Sequence, residues 1–139
     1  MRTDSRQVNE MSKFDPSVSL DNLLYHVKLQ ILEESRPLLC KNLQPKRHYA
    51  YLRSVNILSE DDCAEINHEV TPSSQAGKFL DILQKRGPTV YYHLCQALLK
   101  EGSQLFLLRH LNEEFERRRA LVIAENPHLV PASLASEHS

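Results

Sequence analysis

The sequence contains no apolar run approaching the roughly 20 residues that a membrane-spanning helix requires. Its first ten residues, MRTDSRQVNE, lack the apolar centre of a secretion signal. Neither sign of charge dominates: 17 Lys and Arg stand against 18 Asp and Glu, for a formal net charge of −1. That excludes a general binder of nucleic acid or anionic membrane, which needs an excess of Lys and Arg. Any electrostatic function must therefore reside in local patches. Cysteine is sparse and odd in number: Cys40, Cys63 and Cys95, each within an apolar helical pattern. This reads as three reduced, mostly buried thiols of a cytoplasmic protein. No CxxC or HxxxH spacing is present among these cysteines and the seven histidines, so the converging ligands of a metal site are missing. There is no Gly-rich phosphate loop, and no cofactor is expected. No stretch sustains apolar–polar alternation, so no strand is expected. No internal repeat occurs.

What is present is helical periodicity. The chain has 139 residues, 41% hydrophobic and 25% charged, which suits one soluble domain. Residues 1–18 are polar and aperiodic and read as a flexible N-terminal tail. Ser19 opens the first helix, in which Leu20, Leu23, Leu24, Val27 and Ile31 share one face. Ser35-Arg36-Pro37 interrupts it, because proline removes a donor and clashes with the preceding turn yet suits the first turn of a new helix. The helix is expected to bend there and resume through Leu38, Leu39 and Cys40. A second helix runs from Pro45 to about Asn56, and a third from Ser59 to about His68. Thr71-Pro72-Ser73-Ser74 is a turn and cap before the fourth, whose stripe is Ala76, Phe79, Leu80 and Leu83. Gly77 inside that helix costs roughly 1 kcal/mol relative to Ala, and a close approach of neighbouring backbone would account for it. Gly87 ends the fourth helix and Pro88 starts the fifth. Gly102 ends the fifth and Ser103 caps the sixth, whose charged far end, EEFERRRA, projects past the core. The expected architecture is an all-α, antiparallel bundle of six helices with a kinked first helix, spanning residues 19–124, followed by a short C-terminal tail, 125–139.

The stretch Arg47–Ile66, RHYAYLRSVNILSEDDCAEI, organises the chain. Its first half is basic, through Arg47, His48 and Arg53. Its second half is acidic, through Glu60, Asp61, Asp62 and Glu65. Ser59 reads as an N-cap whose hydroxyl accepts from a free backbone N–H, and the acids after it lie where the helix dipole favours negative charge. Two adjacent helices of opposite sign can bind copies of the chain or of a relative.

Other features carry weaker chemistry. His93 and Cys95 diverge by about 200° around a helix of 3.6 residues per turn, so Cys95 is assigned to the core and His93 to the surface rather than to a catalytic pair. Tyr91 and Tyr92 are expected to split, one ring on the core and one at the rim. Arg117, Arg118 and Arg119 follow Glu113, Glu114 and Glu116 and form a solvated face, with i, i+4 pairs such as Glu113–Arg117.

The helix order, the kink at Ser35-Arg36-Pro37 and the stretch Ala76–Leu98, AGKFLDILQKRGPTVYYHLCQAL, resemble a caspase recruitment domain (CARD) of the death-domain superfamily. The resemblance covers about Leu20 to Leu121. Leu39-Cys40, Arg47-His48-Tyr49, Leu52-Arg53, Ile57-Leu58-Ser59 with Asp61-Asp62, and Ala76-Gly77-Lys78 are similar to the CARD adaptors of the B-cell-lymphoma NF-kappa-B pathway. The resemblance implies a six-helix death-fold bundle and no catalysis. It implies a signalling adaptor or regulator that binds other CARD-containing proteins, of scaffold or caspase class, and forms a homo-oligomer or filament, without nucleic acid or membrane. A decoy that caps a partner's filament and a caspase-recruiting apoptotic adaptor remain alternative readings. The basic side of such a contact would use Arg36, Arg47 and Arg53, with Lys41 and Lys78 in lesser roles. The acidic side would use Glu60, Asp61, Asp62 and Glu65. Leu52 is placed as core support. One departure weakens a basic patch at the start of the fourth helix, where this chain has Ser73, Ser74 and Gln75.

Overall fold

The computed structural model describes residues 19–131 of the chain. The tail assigned to residues 1–18, and residues 132–139 of the C-terminal tail, lie outside the described residues. Within them run α1 (Leu20–Glu34), α2 (Arg36–Asn42), a 3-10 turn (Pro45–His48), α3 (Tyr49–Ser54), α4 (Glu60–His68), α5 (Pro72–Gln84), α6 (Val90–Glu101), α7 (Leu105–Glu125) and a second 3-10 turn (Pro127–Leu129). No strand occurs among the described residues.

The expectation of six helices therefore becomes seven, and the difference lies at the first kink. Ser35 leaves helical geometry (φ −87°, ψ 2°), and Pro37 sits in the first turn of α2, where its missing N–H costs nothing. The break is held from outside: the Ser35 hydroxyl shares a 2.8 Å hydrogen bond with His110 Nε2 of α7. At the other end of α1, Ser19 is extended and its hydroxyl accepts the Asn22 N–H at 3.1 Å.

Other boundaries shift for local reasons. The stretch expected as one helix from Pro45 begins as a 3-10 turn and becomes α-helical only at Tyr49. It stops at Ser54, because Asn56 takes a left-handed conformation (φ 61°), a region that Asn visits more readily than most residues. Thr71 and Ser74 cap α5 reciprocally. Gly87 (φ 99°) makes the turn before α6, which starts at Val90 rather than Pro88. Gly102 takes φ 81° at the end of α6. Ser103 does not cap α7; that position belongs to Gln104, without a side-chain cap, while the Ser103 hydroxyl donates to Glu101. The last helix runs to Glu125, and the 3-10 turn that follows gives structure to the start of the assigned tail.

One core unites these elements. Phe79 and Leu83 of α5, Leu52 of α3, Ile66 of α4, Leu94 of α6 and Leu107 of α7 are fully buried. The bundle packs α2 and α4 on α5, and α1 and α6 on α7. Full burial of each such side chain contributes about 1.5–3 kcal/mol. Gly77 permits the α2–α5 approach, but the neighbour it makes room for is side chain, not backbone: a Cβ there would lie 3.4 Å from Arg36 Nη2 and 3.8 Å from Cys40 Sγ.

The charged end of α7 is more than a solvated face. Arg117 pairs with Glu114 (2.6 Å), not Glu113, while Arg118 bridges Glu114 (3.0 Å) and Glu34 of α1 (2.7 Å). Past this tie α7 runs clear of the core, and Leu121 is exposed.

Candidate interaction surface

The acidic set begins with a rigid helix start. The Asp62 N–H donates to the Ser59 hydroxyl (3.1 Å), and the Ser59 N–H donates to the Asp62 carboxylate (2.8 Å), closing a capping box. This use of Asp62 turns its carboxylate inward. Its residue is 6% exposed, and the Arg86 guanidinium grips both oxygens at 2.8 and 2.9 Å. Burial pushes the Asp62 carboxyl upward, but the Ser59 N–H and Arg86 outweigh it and hold the group below the ordinary carboxylate value. Asp62 thus leaves the set of surface acids expected from the sequence; it braces α4. Glu60 and Asp61 are exposed and form no ion pair among the described residues. Glu65 is exposed and lies 3.5 Å from Lys78 of α5.

The basic half is divided by the fold. His48 is 1% exposed and packs its ring against Phe79, with centroids 6.4 Å apart. Neither ring nitrogen has a hydrogen-bond partner, and burial lowers its pKa, as does nearby Arg47, against an opposing pull from Glu101. His48 is a neutral core residue, not part of a basic face. Arg36 is spent on α5, donating to the Gly77 carbonyl (3.0 Å) and to Asp81 (2.7 Å). Arg47 pairs with Glu101 of α6 at 3.0 Å. Lys41 and Arg53 are exposed and form no ion pair among the described residues. Leu52 is fully buried, as core support requires.

Lys41 and Arg47 converge on one groove, together with Lys46, which the sequence reading passed over although it lies in the basic run Pro45–His48. The groove measures about 800 Å³ and runs between the end of α2, the first 3-10 turn and the start of α5. Pro37, Leu43 and Pro45 also line it, and among the described residues no carboxylate does. Ser73 and Gln75 contribute uncharged polar groups, consistent with the departure noted in the sequence. Arg53 is absent from this groove and lies near Cys63 of α4, whose thiol feels its charge. Arg36 and Lys78 lie on seams against α5 and α4. The candidate cations thus occupy several places, not one.

The features that invited a catalytic reading take structural roles. Cys95 is half-buried, with its thiol pushed up to about 11, chiefly by burial. His93 Nδ1 shares a 3.0 Å hydrogen bond with the Tyr51 hydroxyl. Tyr91 is buried and donates to the Leu111 carbonyl (2.8 Å), whereas Tyr92 is exposed. Cys63 is buried and Cys40 half-buried, and all three cysteines are free. Among the described residues no group of three or more His, Cys, Asp or Glu could hold a metal ion. No helix there is long and apolar enough to cross a membrane.

A bundle broken in its first helix, with separate acidic and cationic surfaces, is matched by family comparison: residues 29–113, more than half of the chain, fit the caspase recruitment domain. The chain belongs to the CARD family. CARDs are non-catalytic interaction modules of signalling proteins, and residues 29–113 form such a module. It is 34% identical over 104 residues to B-cell lymphoma/leukemia 10 of Mus musculus and of Homo sapiens, covering 75% of this chain and 44% of each relative. It is 33% identical over 104 residues to CARD domain-containing protein E10 of Equine herpesvirus 2, covering 74% of this chain and 33% of that protein. The CARD chain therefore spans less than half the length of these relatives.

Proposed function

We propose that this CARD is a cytoplasmic signalling adaptor that binds other CARDs by opposed charge and grows with itself into an open helical filament, nucleated by an upstream CARD scaffold in NF-kappa-B or innate immune signalling. One observation carries the reading: among the described residues, Glu60 and Asp61 form no ion pair on the braced start of α4, while a groove lined by Lys41, Lys46 and Arg47 without any carboxylate opens elsewhere on the domain. Complementary patches that are distinct on one molecule make a heterologous contact, and such a contact repeats without closing. The charges steer encounter and fix register more than they supply affinity. The Arg47–Glu101 and Lys78–Glu65 pairs are solvent-exposed on at least one side, and surface pairs contribute only about 0–1 kcal/mol. A partner's carboxylate can therefore replace the internal one at little cost. The NF-kappa-B assignment rests on the resemblance to CARD adaptors carried by the sequence stretches quoted above.

Asp61→Arg and Arg53→Glu, with Lys41→Glu for the groove, test this. Each variant is expected to keep its helical circular dichroism and Tm yet fail to pellet or form fibres in electron micrographs. A mixture of Asp61→Ala with Lys41→Ala retains one intact contact and is expected to give heterodimers instead of fibres. Normal fibres from all three single variants would sink the proposal. Light scattering of the parent across concentrations reads the mode of action: growing particles accord with the adaptor, and a constant monomer assigns the chain to capping instead.

A further inference from the structure

A cleft of about 300 Å³ lies between α6 and α7 and shares no residue with the cationic groove. Tyr92, Cys95 and Leu99 of α6, at i, i+3 and i+7, form one wall, and Leu108 and Phe115 of α7 form the other. Tyr92 and Leu99 are 58% and 54% exposed, although this spacing is that of a helix face made to be covered. Lys28 of α1 also lines the cleft, with its ammonium 5.2 Å from the centre of the Phe115 ring. Among the described residues no carboxylate lines it, and Lys28 forms no ion pair. The cleft therefore fits a small apolar group carried next to an acid.

The link between α4 and α5 carries that combination on the surface. Val70 is 94% exposed, the most open large apolar side chain among the described residues. Glu69 before it is exposed and forms no ion pair among the described residues. Both flanking helices hold this step in place. Glu69 leaves α4 with an extended backbone (φ −67°, ψ 141°), its carbonyl accepts from Gln75 Nε2 at 3.1 Å, and Thr71 begins the reciprocal cap of α5. Val70 is thus a presented knob that needs little further ordering on binding. Both halves of the fit lie on this chain, which makes a second copy the occupant. We propose that Val70 of one copy enters the α6–α7 cleft of the next, with its Glu69 carboxylate on Lys28. The flexible four-carbon stem of Lys28 lets its ammonium swing from the Phe115 ring to that carboxylate. Knob and cleft are different patches of one molecule, so the contact is heterologous and repeats from copy to copy. It uses none of the residues of the charged contact and stands or falls apart from it.

Cys95 lines the cleft and Cys40 lines the cationic groove. Brief alkylation of the full chain with iodoacetamide over a range of protein concentrations, read by peptide mass spectrometry, therefore reports the two contacts separately. Cys95 labelling should slow as concentration rises, whatever Cys40 does. Val70→Ser should move the midpoint of that protection to about tenfold higher concentration, the factor carried by burial of one valine. Val70→Ile, which keeps the apolar group, should stay within about threefold of the parent. Glu69→Lys and Lys28→Glu should each raise the midpoint about fivefold, and the two together in one chain should restore it, because the swapped charges meet again between copies. Midpoints rather than absolute rates are compared, since Lys28 itself acts on the Cys95 thiol. Three results would each overturn the proposal: Cys95 labelling independent of concentration, which leaves the cleft open or covered within one chain; a parental midpoint in Val70→Ser, which means that another surface of the copy fills it; or a double charge swap no better than either single change. Protection at Cys40 without protection at Cys95 would leave the charged contact standing and refute this one.

Discussion

Arg86→Met tests how the acidic surface is held. Arg86 follows α5 and reaches Asp62 at the start of α4, with a further 3.5 Å contact to the Ile57 carbonyl. Methionine keeps much of the stem and removes the charge, leaving the Asp62 carboxylate, 9% exposed at its side chain, with the Ser59 N–H as its remaining named donor. Breaking a fully buried pair costs about 3–5 kcal/mol, but the Arg86 side chain is 39% exposed, so solvent screening reduces this to about 1–3 kcal/mol. For a domain of this size that lowers Tm by roughly 4–12 °C. Urea unfolding of the parent, Arg86→Met, Asp62→Asn and the double variant should give a coupling energy of about 1–3 kcal/mol. The sign with pH follows from Asp62. Its folded pKa is lowered below 3.8, so its contribution is complete above that value and disappears as pH falls through the folded one. Arg86→Met should flatten that acid limb and weaken assembly, because Glu60 and Asp61 ride on the same turn. A loss under about 0.5 kcal/mol together with zero coupling would refute the brace.

Three further outcomes are expected. His48 has its pKa lowered from 6.5 by burial, so the unfolded chain binds its proton first and stability should fall as pH drops below about 6.5; urea midpoints at neutral and mildly acidic pH should show this, and His48→Leu should remove that part of the slope. Leu52→Ala, at a fully buried site, should cost about 2–5 kcal/mol, so any loss of assembly should track lost Tm, unlike Asp61→Arg. Gly77→Ala should stay within about 1 kcal/mol of the parent, since its helix-propensity gain is offset by displacing Arg36; Gly77→Leu should eject the guanidinium from the α2–α5 seam and lower the urea midpoint.

The helices were legible where one residue decides its own backbone. Ser19 and Ser59 cap, Pro37 breaks, Gly87 and Gly102 take positive φ, and the stripe Ala76, Phe79, Leu80 and Leu83 is buried as its spacing required. Boundaries set by hydrogen bonds elsewhere were not legible, as with Ser103, whose hydroxyl turns to Glu101 instead of α7. The acidic run at Glu60–Asp62 could be found by charge alone, but charge does not tell which carboxylate faces Arg86, 24 residues away.

The sequence by itself determined an all-helical chain, the kink in its first helix, the core stripes and the existence of two charge signs near α3 and α4, because these depend on neighbours within about one or two turns. Only the tertiary structure decided which charges remain for a partner. Packing buried His48 and Asp62, tied Arg36 to α5 and Arg47 to α6, and gathered Lys41, Lys46 and Arg47 around one groove. Those pairings join residues 24 to 54 positions apart, and their partners are chosen by how helices pack, which no local spacing encodes.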